Sequence, residues 1–338
     1  MLDLIKEMSL INGVSGREDD VRYYIIDKIK DYATSYETDA LGNLIVFKKG
    51  KQTPKNKVML DAHMDEVGMM ITFINEDGTL RFECVGGIDK RVMSGRAVNV
   101  GKNNIHGVIG IKAVHMVPAD ERLDMPSEMY IDIGAVNKED AEKYVSLGDC
   151  AHFNSEFVEF GDGFIKGKAL DDRAGCAMLI EMIKSDLPYD LYFNFAAGEE
   201  VGLGLAGAAA YKINPDYAIV VETTTAADLA DIPESKKVCK LKDGAVISFM
   251  DRRTVYPKKL FDKAFEIAEK NNLKAQVKAA VTGGNNAGII HKSAGGIKTI
   301  AVSLPCRYLH SPSCVIHKDD ISHTAKLVAL LASELAND

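Results

Sequence analysis

Two adjacent glutamates, Glu199 and Glu200, follow a run of apolar residues, and this arrangement constrains the fold more than any other feature of the sequence. The run covers residues 191–197, contains three aromatic residues and is bounded by Gly198, a pattern that predicts a buried strand. Carboxylates buried at its end without partners would each cost several kcal/mol. The sequence therefore predicts that cationic groups lie beside this strand end.

Three more apolar segments, at residues 58–60, 216–221 and 297–304, lead in the same way into polar side chains. Ligands of open α/β sheets bind outside the carboxyl ends of the strands. One acid at a strand end is typical of a turn or a cap, but a joint occurrence favours a common site. The candidates at or just beyond these ends are His63, Glu199, Glu200, Glu222 and His310.

A further pair of acids, Asp171 and Asp172, precedes an apolar helical pattern. Aspartate is favoured at a helix N-cap, where its carboxylate also suits the helix dipole. One of the two residues is sufficient as a cap, so the other remains available to bridge two cations.

The donor types indicate which cations would bind. Histidine and carboxylate donors without cysteine favour Zn²⁺, Co²⁺ or Mn²⁺ in a reactive site over a structural zinc. Asp65 lies two residues after His63 and projects to the same side of an extended chain, so it is expected to orient the imidazole. Two cations about 3.5–4 Å apart can share an aspartate, activate one water and polarise a carbonyl. Of Glu199 and Glu200, one should bind a cation and the other act as a general base.

The order of predicted elements indicates an α/β fold with a mainly parallel sheet flanked by helices. A capping box formed by Ser15 and Glu18 is predicted to start the second helix. Residues 67–163 consist of short β-rich runs, whereas strand and helix alternate after residue 164. His63 belongs with the later residues, so we expect a catalytic α/β domain of residues 1–66 and 164–338 with an inserted β-rich domain of residues 67–163. The alternation predicts helices at 172–185, 203–212, 257–271 and 318–335, and strands at 190–197, 216–221 and 297–304.

Composition excludes several classes of partner. The formal charge of −8 and the lack of a basic stripe argue against nucleic acid binding. No apolar run approaches the roughly 20 residues that a membrane span requires. The six cysteines form no C-x-x-C pair and the N-terminus has no basic region, so we expect a cytoplasmic protein with reduced thiols.

Taken together, these motifs resemble metallopeptidase family 42, the tetrahedral, deblocking or glutamyl aminopeptidases that were formerly labelled endoglucanases. The resemblance spans the whole chain. It is carried by Asp-Ala-His-Met-Asp-Glu-Val-Gly (61–68), Ala-Leu-Asp-Asp-Arg-Ala-Gly (169–175), Gly-Glu-Glu-Val-Gly-Leu-Gly (198–204), Glu-Thr-Thr-Thr-Ala-Ala-Asp (222–228) and Arg-Tyr-Leu-His-Ser (307–311).

The resemblance implies a co-catalytic zinc exopeptidase fold and assigns roles to the candidate residues. One cation would be held by His63, Asp171 and Glu222, and the other by Asp171, Glu200 and His310. Asp171 would bridge the two, Glu199 would be the general base and Asp65 would orient His63. The resemblance also implies a cis Asp171–Asp172 peptide bond, an insert that forms a dimer, and dimers that assemble into a tetrahedral dodecamer.

Two positions depart from the family pattern. Glu222 stands where the family usually has aspartate, and Gly284-Asn285-Asn286-Ala287 stands where it has Gly-Thr-Asp-Ala. The second departure removes a carboxylate, and we expect it to affect the substrate side of the pocket more than the cations.

The sequence thus predicts a two-metal aminopeptidase that removes N-terminal residues from peptides through a metal-bridging hydroxide, with Glu199 as the general base. Zn²⁺ or Co²⁺ is favoured, and Mn²⁺ is an alternative. A metal-dependent deacylase of N-acyl amino acids and a non-catalytic metal-binding assembly protein remain alternatives. A polysaccharide hydrolase is less favoured, because such enzymes ordinarily use two carboxylates without metal and this chain has no tryptophan to stack on sugars. Arg252 and Arg253 either face an acidic substrate residue or are solvated.

Overall fold

The computed structural model describes residues 1–117, 129–202 and 204–338. Within these ranges the helices are α1 (Leu2–Leu10), α2 (Asp19–Ile29), α3 (Lys138–Ala141), α4 (Leu170–Lys184), α5 (Ala206–Ile213), α6 (Lys258–Lys270), α7 (Ala287–Ile290) and α8 (Lys318–Asn337). The strands are β1 (Ser35–Thr38), β2 (Leu44–Lys48), β3 (Val58–His63), β4 (Gly68–Ile74), β5 (Leu80–Val85), β6 (Ala97–Val100), β7 (Ile105–Ile111), β8 (Met129–Asp132), β9 (Cys150–Phe153), β10 (Val158–Phe160), β11 (Phe164–Gly167), β12 (Leu191–Ala196), β13 (Tyr217–Thr225), β14 (Ala245–Ile247), β15 (Ala275–Val277), β16 (Lys298–Cys306) and β17 (Cys314–His317). None of the described helices is both long and apolar enough to cross a membrane.

An eight-stranded sheet forms the centre of the molecule in the order β1-β2-β12-β3-β13-β16-β14-β15. Its four middle strands, β12, β3, β13 and β16, run parallel to one another, whereas β12 pairs with β2 and β16 pairs with β14 in antiparallel fashion. The carboxyl ends of these strands therefore meet at one edge of the sheet, which is where the candidate residues are expected. The predicted α/β architecture is confirmed.

Side chains that alternate along the strands build a separate core on each face of this sheet. Leu60 and Ile219 belong to the cluster that packs against α1, α2, α4, α6 and α8. Met59 and Val220, their neighbours in sequence, belong to the cluster that packs against α5 and α7. Each large apolar side chain buried in this way contributes about 1.5–3 kcal/mol, so the two layers fix the strands that carry the site.

Between β3 and α4 the chain forms a closed barrel of antiparallel strands in the order β4-β5-β8-β7-β6-β9. Its interior is apolar and includes Met69, Leu80, Val98 and Ile131. The last two strands before α4 do not join the barrel, since β10 and β11 pair with each other and β11 pairs with β17. The closed barrel thus comprises β4 to β9, whereas β10, which also lies within the predicted insert 67–163, pairs outside the barrel.

The predicted capping box at the start of α2 is wrong. Glu18 occupies the N-cap, but no side chain caps the helix end. The Ser15 hydroxyl donates instead to Asp65 at 2.6 Å, and the Glu18 carboxylate accepts from the backbone N–H groups of Gly16 and Gly198. These residues find acceptors and donors brought near by the tertiary fold, which the local pattern does not encode.

Strand ends also differ from their predicted positions. The predicted strand 216–221 continues to Thr225, because β13 keeps its pairing with β16 through Thr223↔Leu304 and Thr225↔Cys306. Glu222 consequently lies inside a strand and not beyond its end. The first residue of the predicted helix 203–212 lies outside the described residues, and α5 begins at Ala206.

Candidate metal centre

The five candidate ligands converge at the carboxyl edge of the sheet, although they come from five separate segments. His63 is the last residue of β3, Glu222 lies within β13, and Asp171 lies in the first turn of α4. Glu200 follows β12, and His310 lies in the connection between β16 and β17. The parallel order of β12, β3, β13 and β16 is what brings these segments to one place.

Asp171 lies at the centre of the cluster and directs one carboxylate oxygen to each histidine. Its Oδ1 is 3.3 Å from Nε2 of His63, and its Oδ2 is 3.5 Å from Nε2 of His310. Nε2 of His63 is also 3.4 Å from Oε1 of Glu222, and Nε2 of His310 is 3.1 Å from Oε2 of Glu200. The arrangement is that of a bridging carboxylate between two groups of donors.

The donor atoms fit a pair of divalent cations. Those of His63, Asp171 and Glu222 lie within 4.8 Å of one another, and so do those of Asp171, Glu200 and His310. Over residues 1–117, 129–202 and 204–338 these are the two groups with such a geometry. Imidazole nitrogen and carboxylate oxygen suit Zn²⁺, Co²⁺ or Mn²⁺.

The far side of each imidazole is held in place by an oxygen atom. Nδ1 of His63 lies 3.3 Å from Oδ1 of Asp65 and 3.1 Å from the Asp65 carbonyl oxygen. Nδ1 of His310 lies 2.9 Å from the carbonyl oxygen of Gly87, which belongs to the segment between β5 and β6. A proton on each Nδ1 leaves the lone pair on Nε2, the nitrogen that lies near Asp171, available to bind a cation. The sequence does not indicate the Gly87 contact, because any residue can supply a carbonyl.

The cluster contains more acid than base, and this shifts the pKa values strongly. Burial raises the pKa of Glu222 well above its ordinary value, and the Asp171 charge raises it further. Burial likewise raises the pKa of Glu200, although His310 opposes the shift. Although burial alone would lower it, the pKa of His310 is raised to about 11 by Asp171 and Glu200. Positive charge between these groups would relieve the repulsion among the carboxylates.

Glu199 differs from Glu200 in its surroundings. Both glutamates line an open cavity of about 530 Å³, but only the Glu200 carboxylate of the two contacts His310. Within the described residues no side chain donates a hydrogen bond to the Glu199 carboxylate. Burial raises its pKa to about 8, and Glu200, Asp171 and Asp65 add to the shift. A carboxylate with this pKa can take up and release a proton near neutral pH.

The chain bends sharply where the two glutamates leave β12. Gly198 has a φ of 64° and Gly202 a φ of 68°, conformations that glycine adopts without steric cost. A straight strand would direct two successive side chains to opposite faces, so this bend allows the neighbouring glutamates to serve one site.

The Asp171–Asp172 peptide bond is cis, as the family resemblance implies. Both residues have non-helical backbone angles, so regular α4 geometry begins after them. Asp172 acts as the helix cap, since its Oδ1 accepts the N–H of Gly175 at 2.9 Å. The prediction that one aspartate caps the helix is therefore confirmed.

The wall of the cavity also carries cationic side chains. Arg252 and Arg253 are exposed and line it, and so does Lys278, whose side chain is buried. Within the described residues no carboxylate forms an ion pair with any of these three cations. Lys278 carries no signal in the sequence, because a single lysine after a short strand is usually solvated.

The two asparagines at the departure from the family pattern have separate positions. Asn285 lines the cavity, whereas the Asn286 amide donates to Oδ2 of fully buried Asp61 at 2.9 Å. Asp61 lies in β3, two residues before His63. The side chain of Asn286, the position at which the carboxylate is absent, therefore faces the sheet beneath the site and not the substrate side.

Fold and site together define a class of α/β protein that brings a carboxylate–histidine cluster, suited to two cations, to the edge of a sheet. The model of the M42 glutamyl aminopeptidase family matches residues 42–327, and the chain belongs to this family. It is a peptide hydrolase.

The similarity to known proteins covers almost the whole chain. A relative from Acetivibrio thermocellus, provisionally named as an aminopeptidase, is 41% identical over 331 residues, with 97% of each chain covered. The TET aminopeptidase from Thaumarchaeota archaeon SCGC AB-539-E09 has a TM-score of 0.94 at 30% identity and covers 99% of this chain and 96% of its own. The TET1 peptidase of Pyrococcus horikoshii, which can assemble into a tetrahedron or a large octahedral shell, has a TM-score of 0.86 at 35% identity, with 98% of this chain and 99% of its own covered.

Proposed function

We propose that this chain is an aminopeptidase that uses two divalent cations to remove N-terminal residues from peptides. His63, Asp171 and Glu222 would hold one cation, and Asp171, Glu200 and His310 the other. The single observation that carries the proposal is the position of the Asp171 carboxylate, whose two oxygens lie 3.3 and 3.5 Å from the two Nε2 atoms. A carboxylate that served a structural role alone would not need a histidine on each side.

When bound, such a pair of cations would lower the pKa of water and polarise the scissile carbonyl. Glu199 would then accept the proton released by the attacking water and return it to the leaving amine. Its position in the open cavity and its raised pKa suit this exchange of a proton in both directions. Asp65 would keep His63 in the tautomer that presents Nε2, and the Gly87 carbonyl would do the same for His310.

The proposal is tested by metal content and turnover in the same preparations. Dialysis against a chelator should abolish hydrolysis of aminoacyl anilides, and Zn²⁺, Co²⁺ or Mn²⁺ should restore it as two equivalents bind per chain. Blocked N-acetyl aminoacyl anilides should not be hydrolysed. Hydrolysis of N-acyl amino acids with no release of anilide would support a deacylase, and turnover independent of metal would contradict the proposal.

We also propose a preference for an acidic N-terminal residue. Acids and cationic side chains line the same cavity: the acids suit the α-amino group and the cations, while Arg252, Arg253 and Lys278 suit a side-chain carboxylate. Lys278 is the main candidate, since its buried ammonium group has no acidic partner in the described part of the chain. The family to which the chain belongs takes its name from glutamyl aminopeptidase activity, which agrees with this preference.

The assembly is a further part of the proposal. The catalytic unit would comprise residues 1–66 and those after the barrel, and the barrel would form an isologous dimer contact. The Pyrococcus horikoshii relative assembles into closed shells, which makes a tetrahedral dodecamer of such dimers the expected form here.

A further inference from the structure

Four consecutive backbone N–H groups lead from the end of β12 to the two glutamates, and each donates to a side chain from another part of the molecule. Ala197 donates to Oδ1 of Asn43 at 3.1 Å, and Gly198 to Oε1 of Glu18 at 3.1 Å. Glu199 and Glu200 donate to Oδ1 and Oδ2 of Asp65, both at 3.0 Å. Side chains from other parts of the molecule therefore hold residues 197–200, and a turn closed by the Gly202 N–H and the Glu199 carbonyl at 2.7 Å follows them.

Residues 15–18, which resemble a capping box in the sequence, provide hydrogen bonds to this bend and to Asp65. The Oε1 atom of buried Glu18 accepts from Gly16 at 2.7 Å as well as from Gly198. The hydroxyl of buried Ser15 donates to Oδ2 of Asp65 at 2.6 Å, the same oxygen that accepts from Glu200. One short segment thus supports the bend both directly and through Asp65.

A buried carboxylate such as that of Glu18 is costly unless hydrogen bonds compensate for its lost hydration. Glu18 occupies the N-cap position of α2, but its side chain makes no capping hydrogen bond, so the helix does not explain why this carboxylate is buried. Its link to Gly198 joins residues 180 positions apart and ends next to Glu199. The link crosses from the N-terminal helices to the site, where small displacements have large effects on rate.

We propose that Ser15 and Glu18 are positioning residues for the general base. They hold the backbone of residues 198–200 so that the Glu200 carboxylate turns to His310 while the Glu199 carboxylate faces the cavity without contacting an imidazole. This inference rests on the proposed role of Glu199. It does not require either residue to touch a cation or the substrate.

The test compares variants that remove the hydrogen bonds with variants that restore them. Glu18→Ala removes the acceptor for Gly198, whereas Glu18→Gln keeps a carbonyl oxygen in its place. Ser15→Ala removes the donor to Asp65, and Ser15→Thr keeps a hydroxyl group. Arg17→Ala is the matched control, because Arg17 is exposed and its side chain donates to the adjacent Gly16 carbonyl.

We expect Glu18→Ala to lower kcat roughly 10- to 100-fold, the scale of a displacement of about 1 Å at a reacting group. KM and the two bound metal equivalents should be nearly unchanged. Glu18→Gln and Ser15→Thr should recover most of kcat, Ser15→Ala should show a smaller loss, and Arg17→Ala should resemble the wild type. Amide hydrogen exchange, read by mass spectrometry on a peptide spanning residues 196–202, should accelerate in both alanine variants.

Several results would overturn the inference. One is a folded, metal-loaded Glu18→Ala enzyme with wild-type kcat. Another is a Glu18→Ala enzyme whose decrease in kcat is accounted for by a decrease in bound metal. A Gln variant as slow as the Ala variant would also count against it. If Glu18→Ala does not fold, the Ser15→Ala and Ser15→Thr pair decides the question by the same readouts. Glu199→Gln, assayed in parallel, distinguishes failure of the positioning role from failure of the proposed function. If Glu199→Gln is the only slow variant, the positioning role of Ser15 and Glu18 fails. If Glu199→Gln has wild-type activity, the proposed function fails.

Discussion

The neighbouring glutamates should respond in opposite ways to the same isosteric change. Glu199→Gln preserves the shape of the side chain and every backbone contact of the bend, but it removes the proton acceptor. Loss of general-base catalysis is expected to lower kcat roughly 10²- to 10⁴-fold, equivalent to about 2.7–5.4 kcal/mol of transition-state stabilisation. The Glu199 carboxylate contacts neither imidazole, so both cations should remain bound.

Glu200→Gln should instead affect metal binding. Oε2 of Glu200 lies 3.1 Å from Nε2 of His310, and only 4% of its side chain is exposed. An uncharged amide is a weaker ligand for a hard cation, and its loss of charge removes part of the field that favours a cation there. One metal equivalent should dissociate at lower chelator concentration, and added Zn²⁺ or Co²⁺ should partly restore turnover.

The two variants are distinguished by elemental analysis alongside steady-state kinetics. In excess metal, Glu199→Gln should stay slow while Glu200→Gln recovers. Loss of a cation from Glu199→Gln with two retained in Glu200→Gln would reverse the two roles. Wild-type hydrolysis by both variants would refute the argument that these acids carry the chemistry.

Three further predictions concern stability, selectivity and assembly. Burial lowers the pKa of His152 from 6.5 to about 4 against the opposing effect of Glu66, with Lys168 and Arg173 adding to the decrease. The contribution of the neutral ring to the free energy of unfolding is therefore complete above pH 6.5 and decreases as the pH falls towards 4, with a loss of about 2 kcal/mol at pH 5. Urea unfolding at pH 7.5 and pH 5 should show less acid destabilisation for His152→Gln than for the wild type. Equal pH dependence of the two proteins would contradict this. Lys278→Met should lower kcat/KM for a glutamyl anilide by more than that for a leucyl anilide, and equal decreases would assign the lysine a structural role. Light scattering should give a mass at least twice that of one 338-residue chain, and a stable monomer at micromolar concentration would leave the barrel without its proposed contact.

Much of the site can be predicted from the sequence because its residues follow recognisable strands. The aromatic run before Glu199 and the apolar run before His63 each form a strand of the central sheet, and the acids lie where the parallel order predicts. Donor types alone favour a reactive site of imidazole and carboxylate ligands over a structural thiolate site. The bend at Gly198 also follows from local reasoning, since two successive residues of a straight strand would face opposite sides.

Other parts of the site depend on contacts that have no local signature. Lys278 resembles a solvated lysine in the sequence and is buried only because β14 and β15 extend the sheet beside the cavity. The Gly87 carbonyl reaches His310 across 223 residues, from a segment between barrel strands. The pattern of residues 216–221 predicts a strand that ends before Glu222, but pairing with β16 keeps Glu222 inside a strand.

The sequence by itself determined which residues form the strands, where the acids and imidazoles follow them, and hence the class of chemistry. These features depend on periodicity and side-chain type over a few neighbours. Only the tertiary structure decided that Ser15 and Glu18 support the bend at the glutamates and do not cap a helix. The physical reason is that hydrogen bonds of a buried side chain form with whichever partner the strand order brings within about 3 Å, and that order is set by packing of the whole core.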